Sequence, residues 1–120
     1  MGKLFINYFD ESEKNNYYYC VKCNNEDRTV HLFKENNILS FDFTRNRNRT
    51  FLIDELINCR VDSLKYVKSS MGSYEVSKIY CKFCNTELGF KYIESLGNIS
   101  DKFRENKYVI SLNNINYYTV

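Results

Sequence analysis

Two Cys-x-x-Cys pairs, Cys20–Cys23 and Cys81–Cys84, constrain what this chain can fold into more than any other feature of its sequence. Each pair can form a tight turn, called here the first and the second knuckle, that points two sulfur atoms at one metal ion. Two such knuckles complete a tetrahedral zinc site of four thiolates with no open position for chemistry. The two pairs are much farther apart than in a zinc finger, so we expect the zinc ion to join two distant hairpins of one domain.

Disulfide bonds and a redox-active pair are the alternatives to a metal site. The N-terminus, which begins Met1-Gly2-Lys3-Leu4-Phe5, lacks the apolar segment of a signal peptide, and no apolar run approaches membrane-spanning length. We therefore expect an intracellular protein, in the nucleus or the cytoplasm, whose cysteines stay reduced and bind Zn²⁺.

Length and charge describe a single small domain. A chain of 120 residues can bury a modest core, to which a bound metal ion would add much of the stability. The polar stretch 11–16 divides the chain into an N-terminal extension, residues 1–16, and the domain proper, residues 17–120. A net charge of +2 is too small to indicate a nucleic-acid partner by itself.

Short runs of aromatic and β-branched residues, separated by Asn, Asp and Gly, predict a mainly β domain. One run leads into each knuckle, and a run with alternating polarity leaves the second. The runs cover residues 17–19, 28–33, 49–53, 74–80, 88–93 and 107–112. The apolar segment that starts at residue 49 continues to Val61, and the pattern does not decide whether residues 54–58 form a helical turn within it.

The sequence around the second knuckle resembles the signature of the Yippee family. In that family a Cys-x-x-Cys pair is followed by Leu-Gly-Trp-Lys-Tyr, and this chain has Leu88-Gly89-Phe90-Lys91-Tyr92 at that place. Further stretches similar to the family occur in the right order, at residues 38–43, 49–53, 56–58 and 100–110. The resemblance thus covers residues 17–112, although Phe90 replaces the family tryptophan and Tyr74 stands where a histidine is common.

The resemblance implies a fold and a function. The fold is a β-tent, two antiparallel sheets that meet at an angle and are pinned at the apex by a four-cysteine zinc site. The thalidomide-binding domain of cereblon and the B-type methionine sulfoxide reductases share it. The function is that of a non-catalytic protein-interaction module. Its expected protein partners are subunits of a ubiquitin ligase of the GID/CTLH type or components of the mitotic apparatus.

An enzyme of the sulfoxide reductase kind is one alternative, and it needs a nucleophilic thiol outside the metal site. Cys59 is the only spare cysteine, and it follows the apolar residues Leu56 and Ile57. We interpret Cys59 as a small buried hydrophobe. His31 lies among Val30, Leu32 and Phe33, which is typical of a strand residue rather than a ligand or a base. We therefore expect no catalytic residues.

A ligand-binding aromatic surface is a second alternative. Phe90 and Tyr92 occupy alternate positions of one strand and so face the same side, where Tyr74 could approach them. Gly89 removes a side chain and permits close approach by another backbone or a ligand. We predict that Tyr74, Phe90 and Tyr92 form a shallow ligand-binding face next to the knuckles, as in an aromatic pocket of the cereblon kind. Burial of the same rings in the core is the competing interpretation.

Nucleic acid is a third alternative, because Arg45, Arg47 and Arg49 alternate with asparagines and could contact phosphate from one face of a strand. A solvated loop at a hairpin tip is the simpler interpretation of these arginines. We therefore expect protein partners rather than nucleic acid or a membrane.

Overall fold

The computed structural model describes residues 16–23, 30–41, 49–69, 73–97 and 104–118. Within these ranges the chain forms β-strands, the 3₁₀ turns Glu35–Asn37 and Leu112–Asn114, and no α-helix. In chain order the strands are β1 (Tyr17–Cys20), β2 (His31–Lys34), β3 (Ile38–Ser40), β4 (Thr50–Ile53), β5 (Cys59–Val61), β6 (Tyr66–Ser69), β7 (Ser73–Cys81), β8 (Glu87–Ser95), β9 (Tyr108–Ser111) and β10 (Ile115–Tyr118). The described part of the chain contains no helix that is long and apolar enough to cross a membrane.

The strands form two antiparallel sheets, as predicted. The small sheet has the order β10-β1-β2, and the large sheet has the order β3-β4-β9-β8-β7-β5, with β6 also paired to β7. The nine-residue strands β7 and β8 form the centre of the large sheet. Each of the two knuckles extends a strand of a different sheet, since Cys20 ends β1 and Cys81 ends β7.

The two faces of the large sheet bury different residues, because alternate side chains of a strand point to opposite faces. Phe51 and Ile53 belong to a core cluster that also contains Leu32 and Phe33 of the small sheet and the cysteines Cys20 and Cys81. Leu52, which lies between Phe51 and Ile53, belongs to a separate cluster that we call the outer cluster. The buried members of the outer cluster are Leu52, Tyr74, Val76, Tyr92 and Val109, and Phe90 packs against them.

A β-bulge at the start of β8 changes which face of the large sheet the side chains of that strand point to. Ile79 of β7 pairs with Gly89, whereas the next residue, Tyr80, pairs with Glu87, so Leu88 is an extra residue on β8. Leu88 consequently points into the core cluster. A Cβ atom on Gly89 would lie 1.8 Å from the carbonyl oxygen of Val109. The predicted close approach at Gly89 is therefore made by the backbone of β9.

The predicted strands agree with the structure where it describes them. The runs 17–19, 74–80, 88–93 and 107–112 fall on β1, β7, β8 and β9, and the run 28–33 overlaps β2. The apolar segment 49–61 is not continuous, because bends at residues 54–58 separate β4 from β5 without forming a helix. The sequence patterns did not predict β3, β6 or β10. Residues 1–15 lie outside the described ranges, so the N-terminal extension stays a prediction.

Candidate metal centre

The four knuckle cysteines meet where the small and the large sheet come together. Their sulfur atoms all lie within 4.8 Å of one another. Two contacts between the knuckles measure 3.6 Å, from Cys20 to Cys84, and 3.5 Å, from Cys23 to Cys81. Cys20 and Cys81 are fully buried, and Cys23 and Cys84 are half-buried. The fold therefore brings the two sequence-distant pairs into one cluster.

The cluster fits a tetrahedral metal ion bound by four sulfur atoms. Metal–sulfur bonds of about 2.3 Å in a tetrahedron place the sulfur atoms about 3.8 Å apart. The contacts of 3.5 and 3.6 Å between the knuckles are close to that spacing, and no sulfur pair exceeds 4.8 Å. Soft thiolate ligands in this geometry favour zinc over hard cations such as Mg²⁺ or Ca²⁺.

The close packing of the thiols shifts their pKa values in opposite directions. A hydrogen bond from the Cys20 thiol, helped by backbone hydrogen bonds from Cys84 and Phe83, lowers the pKa of Cys81 to about 5. The same sulfur–sulfur hydrogen bond raises the pKa of Cys20, and burial raises the pKa of Cys23 to about 12. Without a metal ion the cluster thus holds protons, and a metal ion must displace them when it binds.

The second knuckle is closed by its own local hydrogen bonds. The backbone N–H of Asn85 donates to the carbonyl of Cys81 at 3.0 Å, and the N–H of Cys81 donates to the carbonyl of Thr86 at 2.9 Å. Asn85 adopts a left-handed conformation, φ 61°, which asparagine tolerates better than most residues. The Thr86 hydroxyl lies 3.0 Å from the Cys84 sulfur. No sequence pattern predicted these supporting roles of Asn85 and Thr86.

Cys59 lies beside the cluster but is not part of it. It pairs with Cys81 across β5 and β7, is half-buried and packs against the core cluster. Burial, followed by the charge of the nearby Cys81, raises the pKa of Cys59 to about 11. Cys59 is therefore a neutral thiol at physiological pH rather than an activated nucleophile. His31 is a buried strand residue whose ring lies 3.9 Å from the ring of Tyr17.

The three predicted ligand-binding rings do come together, but in the outer cluster rather than beside the cysteines. The ring centroids of Tyr74 and Tyr92 are 4.8 Å apart, and those of Phe90 and Tyr92 are 5.2 Å apart. Only 1% of Tyr74 and 4% of Tyr92 is exposed. The Lys68 ammonium lies 4.0 Å from the Phe90 ring centroid, and the Arg104 guanidinium lies over both tyrosines. This burial favours the core interpretation, and ligand binding by these rings stays a prediction.

The predicted arginine patch is only partly visible. Arg49 is exposed next to β4, whereas Arg45 and Arg47 lie outside the described residues. A shared face for the three arginines stays a prediction.

Known proteins share both the sequence and the fold of this chain. Yippee-like 3 of Oryzias latipes is 30% identical over 114 residues, which cover 95% of this chain and 89% of that protein. Yippee-like 3 of Homo sapiens and yippee-like 4 of Rattus norvegicus are each 28% identical over 113 residues, which cover 94% of this chain and 88% and 83% of those proteins. No protein-family profile matches the chain.

Among solved structures, the Yippee-like domain of Mis18 superposes with a TM-score of 0.65 at 18% identity, covering 88% of this chain and 97% of that one. Two antiparallel sheets joined at a cluster of four cysteines define the protein as a β-tent domain. Within that class the chain belongs to the Yippee family, as the relative at 30% identity over nearly its whole length demonstrates.

Proposed function

We propose that this protein binds one zinc ion through Cys20, Cys23, Cys81 and Cys84 and that the ion is structural. The observation that carries the proposal is the clustering of four thiols within 4.8 Å of one another. Four protein ligands occupy all four coordination positions of a tetrahedral ion, so no position remains for a substrate or an activated water. When bound, zinc would supply a rigid link between the strand that ends at Cys20 and the strand that ends at Cys81.

Titration of the metal-free protein with Co²⁺ tests the coordination. Tetrahedral Co²⁺ with thiolate ligands absorbs strongly in the visible region and shows sulfur-to-metal charge transfer, and Zn²⁺ should then displace the cobalt. A spectrum typical of octahedral cobalt with oxygen ligands, or saturation at other than one ion per chain, would contradict the proposal.

The domain built on this site is proposed to act as a non-catalytic interaction module that binds another protein. Support comes from exposed apolar residues that concentrate in one segment at the edge of the large sheet. Leu64 is 73% exposed and Val67 is 59% exposed, and Val61 and Tyr66 of the same segment are also exposed. Exposed apolar residues grouped in one segment in this way are typical of protein interaction sites.

Membership in the Yippee family adds a finer proposal about the partner. We propose subunits of a GID/CTLH-type ubiquitin ligase, or proteins of the mitotic apparatus, in the nucleus or cytoplasm. The high pKa of Cys59 supports a role without thiol catalysis.

Purified candidate subunits, titrated against the immobilised protein, test the partner and the surface together. Leu64→Asp should weaken binding at least tenfold, because a charge would be buried at the contact. The matched control is Leu39→Asp, which places the same charge on an exposed leucine of β3 at the opposite edge of the sheet. Equal affinity for both variants would contradict the proposed surface.

A further inference from the structure

Asn58 has three unusual properties for a residue in a connecting segment. It lies between β4 and β5, yet only 4% of it is exposed. Its φ of 58° places it in the left-handed region, which most residues with a side chain avoid. It is also next in the chain to Cys59, whose strand pairs with the end of β7 at Cys81. A buried amide in a strained backbone position needs a structural or functional reason.

Hydrogen bonds connect Asn58 to both sheets. Its side-chain Nδ2 donates to the carbonyl of His31 in β2 at 2.7 Å. Its own backbone carbonyl accepts from the N–H of Lys82, inside the second knuckle, at 2.9 Å. One residue thus holds the small sheet with its side chain and the second knuckle with its main chain.

The connection continues to the first knuckle. Val30, next to His31, accepts a hydrogen bond at its carbonyl from the N–H of Cys20 at 3.1 Å. A short path of backbone and amide contacts therefore runs from Cys20 through the start of β2 to Asn58 and on to Lys82. No step of this path requires a metal ion.

The neighbours of Asn58 reinforce the same contact. The N–H of Ile57 donates to the carbonyl of Leu32 at 2.8 Å. On the other side, the Arg60 guanidinium donates to the side-chain oxygen of Asn85, the residue after the second knuckle, at 2.9 Å from Nη2. Within the segment 57–60, Asn58 and Cys59 contact the first two residues of the second knuckle, and Asn58 also reaches the small sheet through its side chain.

We propose that Asn58 is a positioning residue for the metal centre, which sets the spacing of the two knuckles and thereby slows the release of the bound ion. The inference rests on the proposed zinc site and assigns to it a residue that is not a ligand. Asparagine suits the position because it tolerates the left-handed backbone and supplies an N–H donor for the His31 carbonyl.

Two substitutions separate the backbone requirement from the side-chain donor. Asn58→Gly keeps the left-handed backbone without strain and removes the amide. Asn58→Asp keeps the size of the side chain but places carboxylate oxygen against the His31 carbonyl, where no donor remains. The matched control is Asn106→Gly, because Asn106 also has a positive φ, 63°, but is exposed and lies outside the path between the knuckles.

The experiment mixes the zinc-loaded protein with an excess of a chelator whose zinc complex absorbs visible light. The rise in absorbance measures the rate of zinc release. Loss of a buried hydrogen bond at the site should accelerate release about tenfold in Asn58→Gly relative to Asn106→Gly. The visible spectrum of the Co²⁺-loaded Asn58→Gly protein should also differ from that of the control, because a change in knuckle spacing distorts the tetrahedron. If Asn58→Gly does not fold, both measurements are made on Asn58→Asp, for which we expect the same changes.

The outcomes distinguish this inference from the proposed function. Release at the rate of the control, with an unchanged cobalt spectrum, would overturn the role of Asn58 and leave the zinc site intact. Faster release that equals the global unfolding rate in the same buffer, again with an unchanged spectrum, would also overturn it, because the residue would then act on stability alone. An unaltered chain that binds neither zinc nor cobalt would remove the proposed function and this inference together.

Discussion

Cysteine residues in this chain differ in what their sulfur atoms face. Those of Cys20, Cys23, Cys81 and Cys84 face one another within metal-binding distance. Cys59, by contrast, lies outside this group of four, and burial raises its pKa to about 11. The difference follows from position, because Cys59 begins β5, whereas each of the other four belongs to a knuckle that starts at the last residue of β1 or β7.

Alkylation of Cys59 tests this difference. In the metal-loaded protein, iodoacetamide should modify Cys59 far more slowly at pH 7 than a free thiol in a peptide, because only the thiolate reacts and it forms mainly above a pKa of about 11. The rate should rise as the pH approaches that value. Mass spectrometry of tryptic peptides measures it, and rapid modification of Cys59 at pH 7 would show that the thiol is activated.

Gly89 is a position where only a residue without a side chain fits the structure. A Cβ atom there would meet the Val109 carbonyl oxygen at 1.8 Å, and a backbone atom in the middle of a sheet cannot move aside. We expect Gly89→Ala to destabilise the protein by about 1–3 kcal/mol or more, measured by chemical denaturation. Unchanged stability in Gly89→Ala would mean that β8 and β9 do not approach as closely as described.

At the scale of strands, the outer cluster behaves as a second core on the far side of the large sheet. Tyr92 on β8 packs between Tyr74 and Phe90, and its burial raises the pKa of its hydroxyl. We expect Tyr92→Ala to cost about 3–5 kcal/mol of stability, in the range of other buried aromatic truncations. Phe90→Ala should cost less, because Phe90 is only half-buried.

Thermal and chemical melts of these two variants decide how the outer cluster is used. A large loss in Tyr92→Ala would assign the ring to the core. If instead Tyr92→Ala kept its stability and lost binding of a small ligand, the aromatic surface would be a binding site.

Local patterns predicted the strands that border the knuckles because those strands carry dense runs of aromatic and β-branched residues. The unpredicted strands lack such runs. β3 has only three residues, and β10 reads Ile-Asn-Tyr-Tyr after an asparagine-rich turn. These strands form by pairing with the edge of a neighbouring strand, as β10 pairs with β1. Tertiary pairing of this kind leaves little signal in sequence.

On the scale of the whole molecule, the spacing of the cysteine pairs predicted which sulfur atoms meet, and the resemblance to a family predicted the two sheets. Neither predicted Asn58 as a contact between them, although Asn58 belongs to a stretch that resembles the family. The reason is physical, since a left-handed buried amide becomes visible only when both of its partners, His31 and Lys82, are placed around it.

Removing the metal should affect the two sheets unequally. The small sheet consists of three four-residue strands, whereas β7 and β8 of the large sheet pair over most of nine residues. After chelation we expect amide hydrogen exchange to accelerate first in β1, β2 and β10, because these short strands lose the metal bond that fixes the end of β1 to the second knuckle. Uniform acceleration in both sheets would show that the domain unfolds as one unit, and no acceleration would show that the metal is not structural.

Elemental analysis of the purified protein is the decisive measurement, because the proposed metal centre is a single ion held by four particular cysteines. We predict one zinc per chain in the unaltered protein and in Cys59→Ser, and loss of zinc in Cys81→Ser together with a lower melting temperature. Absence of zinc from the unaltered protein, or loss of zinc in Cys59→Ser, would contradict it.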